Sequence, residues 1–376
     1  MSNQSLTRSP AMDVVRSFAL LFVISVHFLL NSGYYDVPVK GPVMFLMTVL
    51  RSVFIICVPL FMVLSGYLTN QKKPNKAYFS KIIYVLAIYV MASLCCVGYK
   101  MWVQHQEFTV AQVVRALLDY KAAPYAWYVE MYIGLFLLCP FLNLIYNNLK
   151  DKKEKQLLLA ILLFLTALPK VVNVFIPSWE WLQNPSSSKE YWNILPDYWL
   201  ILYPITYYFI GCYLKEYKLK WRPRTLALLS LLLMVVNGAY VYYRSYNVKY
   251  IWGAWQDYGS LLVVAQTVLF FAFFDQLNYE KFPSFLAKCT KRISTLSFGA
   301  YLVSWVFDQY FYGGLKQAQP DILARMKYFP LIVPLVLIFS LLASFILNTI
   351  YDGLVWLVQK GKARRAVCRP IPTKEQ

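Results

Sequence analysis

The sequence predicts an all-α integral membrane protein with about ten spanning helices and both termini in the cytoplasm. Three observations predict it. Of 376 residues, 59% are hydrophobic and only 15% charged. Apolar runs recur at the roughly 20-residue length needed to cross about 30 Å of hydrocarbon. The basic residues alternate from loop to loop.

The expected spans lie near 14–31, 48–68, 82–101, 127–147, 156–174, 197–214, 225–243, 258–275, 293–312 and 330–357. The first is too long, and too closely followed by a second, for a cleaved signal peptide; it also lacks a small-residue cleavage site. The fourth opens on Glu130, and Pro169 and Lys170 cut the fifth short. An even number of spans puts the termini on one side, and cytoplasmic loops should be rich in Lys and Arg. The N-terminus, the even-numbered loops and the tail hold 24 of the 37 basic residues. Residues 1–357 are therefore expected to form one membrane domain, followed by a basic tail at 358–376.

The same assignment accounts for the +19 net charge. A basic, aromatic-rich soluble chain would suggest nucleic acid; here the charge sits in short loops facing anionic headgroups, so nucleic acid is not an expected partner. Seven scattered cysteines show no metal-ligand spacing, and the adjacent Cys95 and Cys96 do not form a C-x-x-C pair. They read as small buried hydrophobes, and no metal is expected. The loop 175–196 carries Trp179, Trp181, Trp192 and the run Pro185–Lys189. Its tryptophans suit an interfacial belt or a platform for a glycan.

Ionisable residues inside a span are costly and usually face a protein interior or an aqueous path. His27 lies midway along the first span, with Arg16 eleven residues before it. Eleven residues turn through about three full turns plus 20°, so both side chains point the same way. Asp13 stands three residues before Arg16. In the ninth span Tyr301, Ser304 and Asp308 share one face by i, i+3, i+7 spacing. With Glu130 they lie at a depth comparable to His27. A neutral imidazole can take a proton from a hydroxyl near pH 7, a carboxylate can orient it, and the Arg16 guanidinium suits an anionic group such as a phosphate. The bland alternatives are a buried hydrogen-bonded histidine, a snorkelling arginine and carboxylates in interhelical hydrogen bonds or lining a pore.

At these residues the chain resembles a known family. Met12-Asp-Val-Val-Arg16 with the apolar run to His27 is similar to the opening signature of the membrane acyltransferase-3 family. Val58-Pro-Leu-Phe-Met-Val-Leu-Ser-Gly-Tyr-Leu68, Ala126-Trp-Tyr to Pro140, and Leu296-Ser-Phe-Gly-Ala-Tyr-Leu-Val-Ser304 resemble three further segments of that family, in order. The resemblance implies a multipass enzyme, taking an acyl group, commonly acetyl from acetyl-CoA, on the cytoplasmic side and delivering it to a hydroxyl of an extracytoplasmic or lipid-linked carbohydrate. It implies that Arg16 and His27 are essential. It places Ser65, Gly66 and the basic residues Lys76 and Lys81 at the donor mouth, beside Asp13 and Arg16. Two departures stand out: Ser304 replaces a histidine common in the family, and Lys81 replaces an arginine.

On this reading His27 is the general base or transient acyl carrier, assisted by Glu130, Tyr301, Ser304 and Asp308. Its donor is acetyl-CoA. Its other partners are a glycan or lipid-linked saccharide acceptor, membrane lipid, and in assembly a second copy or an envelope-biosynthesis protein. The resemblance further implies residence in the cell membrane. A single conduit is expected to join Arg16 to His27. A transporter or lipid flippase would use the same intramembrane charges, and a scaffold in an envelope complex is a third alternative.

Overall fold

The computed structural model describes residues 8–173, 179, 183, 186, 193–252 and 254–367. Trp181, Trp192, most of Pro185–Lys189, Cys368 and the end of the basic tail lie outside them. Among the described residues the longer elements are all helices: α1 Pro10–Ser32, α2 Gly41–Phe54, α3 Cys57–Thr69, α4 Ile82–Trp102, α5 Trp127–Asn148, α6 Lys152–Thr166, α7 Tyr203–Glu216, α8 Pro223–Arg244, α9 Leu261–Gln276, α10 Ser284–Ala318 and α11 Phe329–Val367. There is no strand among these residues, only two isolated bridges.

Among the described residues, seven helical segments are long and apolar enough to cross a membrane: Pro10–Ser32, Gly41–Thr69, Lys76–Trp102, Trp127–Asn148, Lys152–Val172, Pro223–Arg244 and Ile322–Lys360. The protein is thus a multipass membrane protein. The other three expected spans fall on α7 and α9, which are 14 and 16 residues long, and on α10. A row of hydroxyl-bearing residues lowers the hydropathy of α10. The last helix continues past residue 357 to Val367, so the expected tail begins as helix.

α1 is the central element, packed against α2, α3, α9, α10 and α11. Pro10 sits in its first turn, where a missing N–H costs nothing, and Asp13 complements the positive end of the helix dipole. Gly33 ends it in the left-handed region at φ 90°, a conformation open to glycine. The buried Arg325 guanidinium donates to the Ser32 carbonyl at 2.6 Å, satisfying one of the orphan acceptors there. Both ends of α1 are therefore fixed, which matters because Arg16 and His27 ride on it.

The stretch from Gly41 to Thr69 breaks between α2 and α3. Pro59 has no N–H to offer the carbonyl four residues back, that of Ile55, and the ladder lapses there. Irregular backbone at membrane depth is tolerated where it lines a cavity, and Arg51 and Ile55 do line one.

Gly66 on α3 meets Gly211 on α7 where the helices cross. A methyl on Gly66 would overlap the Tyr208 carbonyl, and one on Gly211 the Val63 carbonyl. Such small residues let backbones approach closely. Gly66→Ala is expected to destabilise the protein by about 1–3 kcal/mol through overpacking. Gly134→Ala, where a methyl would meet nothing within 4 Å, should be neutral. Thermal unfolding in detergent compares them; equal melting temperatures would remove the crossing as a determinant.

Candidate active site

Two cavities, each about 540 Å³, lie one beyond the other along α1. The first opens around the N-terminal end of α1 and is lined by Arg8, Arg16, Lys72 and Lys81 over a largely apolar and aromatic wall including Tyr128, Tyr132 and Tyr301. Arg16 Nη1 donates to Ser294 Oγ of α10 at 3.1 Å. Among the described residues no carboxylate comes within 4 Å of Arg16. Asp13 is committed to Arg8, accepting from its Nε at 2.8 Å and its Nη2 at 2.7 Å. Arg8 also donates to Thr295 Oγ1 at 3.0 Å. Asp13 thus orients Arg8 and does not itself line the cavity, while Arg16 keeps guanidinium donors for a ligand. Ser65 lines the wall, but its hydroxyl donates to the Phe61 carbonyl of its own helix at 2.9 Å. Gly66 belongs to the helix crossing, because only hydrogen fits between the two backbones. Lys76 is exposed on a short helix and does not line the cavity; Lys81 does.

The second cavity lies toward the C-terminal end of α1 and is lined by His27, Asn31, Arg51, Tyr125, Gln256 and tryptophans 127, 252 and 305, among others. The His27 imidazole stacks on Tyr125, with ring centroids 3.7 Å apart and an interplanar angle of 26°. His27 Nδ1 is 3.6 Å from Asp308 Oδ2, within ion-pair reach but too long for a hydrogen bond. Nε2 has no hydrogen-bond partner among the described residues. Tyr125 donates its hydroxyl to Asp308 Oδ2 at 2.7 Å, and Asn31 Nδ2 donates to the same hydroxyl at 3.1 Å. Asn31 also donates to the His27 carbonyl one turn back. Asp308 is fully buried, and its Oδ1 lacks a hydrogen-bond partner among the described residues. A buried carboxylate thus faces one side of an imidazole whose other side is free toward a cavity. That arrangement can orient a base and stabilise its protonated form.

Arg16 and His27 both face α10, whose Ser294, Ser297, Tyr301, Ser304 and Asp308 are buried. Their 3- and 4-residue spacing forms one stripe against α1. The pair therefore looks into protein and not into lipid.

The continuous conduit expected between them is interrupted. Val23, Tyr128 and Tyr301 line the first cavity; Val26, Tyr125 and Trp305 line the second. Each pair is three or four residues apart, so the partition is about one helical turn, roughly 5 Å. Tyr301 closes it by donating its hydroxyl to the Tyr125 carbonyl. Tyr301 is a wall residue and not a partner of His27. Ser304 donates to the Tyr301 carbonyl within its own helix at 2.8 Å. Glu130 does not join the group: it is exposed on α5 and lines neither cavity, because the helical period turns it away from the buried Tyr128 and Val129.

Sequence reading missed Arg8, Asn31, Tyr125 and Gln256. The i, i+4 spacing of His27 and Asn31, and the tyrosine immediately before the Ala126-Trp127 motif, were available signals; nothing local marks Gln256. Asp275, another charge near a span end, accepts from Tyr67 and pairs with Lys218, both outside the site. Cysteines 57, 96, 139 and 212 are buried, whereas Cys95 is exposed and Cys289 half-buried. Trp179 is exposed, and the tryptophans facing the second cavity come from elsewhere in the chain.

No match was found among curated proteins or solved structures. The acyltransferase domain model Acyl_transf_3 matches residues 9–349, from the turn before α1 to within α11, and so takes in the residues described around both cavities apart from Arg8. The chain belongs to the acyltransferase-3 family.

Proposed function

We propose that the protein transfers an acyl group, most readily acetyl, from cytoplasmic acyl-CoA to a hydroxyl of a glycan or lipid-linked saccharide on the other side of the cell membrane. The observation that carries this reading is the pairing of two cavities along one helix. One is cationic around an apolar wall, and the other holds an imidazole backed by a carboxylate. The loop bias in Lys and Arg supports a ten-span topology with both termini inside, which puts the Arg16 cavity at the cytoplasmic face. Its four cations suit the phosphates of a nucleotide, and its apolar wall suits a pantetheine arm.

In the transfer, the acceptor oxygen bonds to the thioester carbonyl carbon and the C–S bond breaks. His27 Nε2 takes the hydroxyl proton and returns it to the departing thiolate. Asp308 holds the ring with its proton on Nδ1. In the alternative route Nε2 itself bonds to the thioester carbonyl carbon as the C–S bond breaks and the thiolate leaves, and the acceptor hydroxyl then takes the acyl group from Nε2, with water excluded by the surrounding aromatic rings. In either route the thioester must pass the Tyr301–Tyr125 partition, so that latch must open during turnover.

Labelled-acetyl transfer from acetyl-CoA in membranes, followed by mass analysis of envelope glycans, tests the reading. Label on a saccharide hydroxyl is expected. Unmodified glycans beside vectorial movement of a lipid-linked glycan would favour the transporter class instead. For the donor site, Arg16→Ala should raise the acetyl-CoA KM about 10- to 100-fold, the loss of a charge-assisted contact, with little change in kcat. An unaltered acetyl-CoA dependence would remove Arg16 from the donor cavity.

A further inference from the structure

Arg51 is 3% exposed on α2, at the wall of the His27 cavity. Its Nε donates to Tyr35 Oη at 2.8 Å and its Nη1 to Gln256 Oε1. The guanidinium carbon lies 4.5 Å from the ring centre of Tyr250, 5.5 Å from that of Trp252 and 5.7 Å from that of Tyr35. No carboxylate lies within 4 Å of it among the described residues. Among the described residues lining this wall the one acidic side chain, Asp257, is paired with Lys170 at 2.8 Å. Arg51 stays protonated at any working pH. An intramembrane charge left without a counter-ion is costly and marks a functional site by default.

A second observation points the same way. Gln256, also 3% exposed, uses its Oε1 as an acceptor twice, from Arg51 and from Tyr250 Oη at 2.8 Å. Its Nε2 is buried without a hydrogen-bond partner among the described residues. Arg51 Nη2 likewise donates to nothing among the described residues. Two adjacent residues on the cavity wall therefore hold donors in reserve, and both amide and guanidinium N–H groups need an oxygen.

We infer that Arg51 and Gln256 form an oxyanion subsite, so that this cavity selects a ligand carrying a carboxylate or phosphate group. That the ligand is the acyl acceptor rests on the function proposed above; that the site binds an anion does not. An acidic saccharide would pair its anionic group with Arg51 and lay its ring on the tryptophans of the same wall. A neutral saccharide would leave both donors unpaired in a desolvated site, which costs more than the missing contact alone.

The test uses the purified full-length protein in detergent and three probes: methyl glucoside, methyl glucuronide and glucose 1-phosphate. The charged probes should raise the unfolding temperature at concentrations about 10- to 100-fold below those needed for methyl glucoside. Arg51→Gln should abolish that difference, and Arg51→Lys should restore part of it. A response to glucuronide alone assigns a carboxylate-bearing sugar; a response to the phosphate alone assigns a phosphorylated one. Equal responses to charged and neutral probes, or no response to any, overturn the subsite, and the wild-type comparison decides even if Arg51→Gln fails to fold. In the transfer assay, wild type should favour acidic acceptors about tenfold or more in kcat/KM, and Arg51→Gln should level them without altering the acetyl-CoA KM. Anion-selective stabilisation without acyl transfer to any acceptor would sink the proposed function and leave this subsite standing.

Discussion

His27→Ala is expected to reduce acyl transfer by about 10²–10⁴-fold while leaving the protein folded in the membrane. The imidazole packs on Tyr125 and sits beside Asp308, yet it makes no hydrogen bond that secures the fold. Its removal therefore enlarges an existing cavity without breaking a network. Tyr125 remains held through Asp308 and Asn31. The measurements are initial rates of label transfer beside the elution profile and unfolding temperature of the variant. Transfer within about threefold of wild type would reject proton transfer and acyl carriage alike, since both need that ring nitrogen.

Asp308→Asn should be nearly as damaging to rate, and for a different reason. The amide oxygen of asparagine can still accept from Tyr125, so the packing against α1 survives. The negative charge facing His27 Nδ1 does not. The amide can also offer an N–H where the imidazole needs an acceptor for its own N–H, favouring the wrong tautomer; an equivalent exchange in a serine-hydrolase triad costs about 10⁴ in kcat. The longer 3.6 Å separation here argues for a loss of about 10²–10⁴. Asp308 acts through His27, so the drop should fall on kcat and leave the acetyl-CoA KM in place. Ser304→Ala is the companion measurement. That hydroxyl bonds only within its own helix, and its removal should leave the rate close to wild type. Equal effects of the two substitutions would return Asp308 to a packing role.

Where the sequence departs from the family pattern at Ser304, the structure offers a reason. A serine there spends its hydroxyl on the Tyr301 carbonyl, and the partner of His27 comes from the next turn, at Asp308. The shared face of Arg16 and His27 was legible because helical geometry is a local property: 100° per residue holds whatever α1 packs against. The charge alternation was legible for a similar reason, since it reflects composition and not packing. Glu130 was misplaced by reasoning from depth alone. Two residues at one depth can lie on opposite sides of a bundle, and α5 turns Glu130 outward.

Apolar run length, the Arg16–His27 register and the ordered motifs determined by themselves that this chain is a helical membrane protein with two ionisable groups on one face of its first helix. These are statements about one segment at a time. Tertiary structure alone decided which groups meet across helices: Asp308 with His27 through Tyr125, Arg16 with Ser294, and Arg51 with Gln256 at the far wall. It also split the expected conduit into two chambers, with Tyr301 closing the turn between them. Each of those outcomes depends on the rotation and offset of one helix against another, which are fixed by close approach at places such as the Gly66–Gly211 crossing and not by any local pattern.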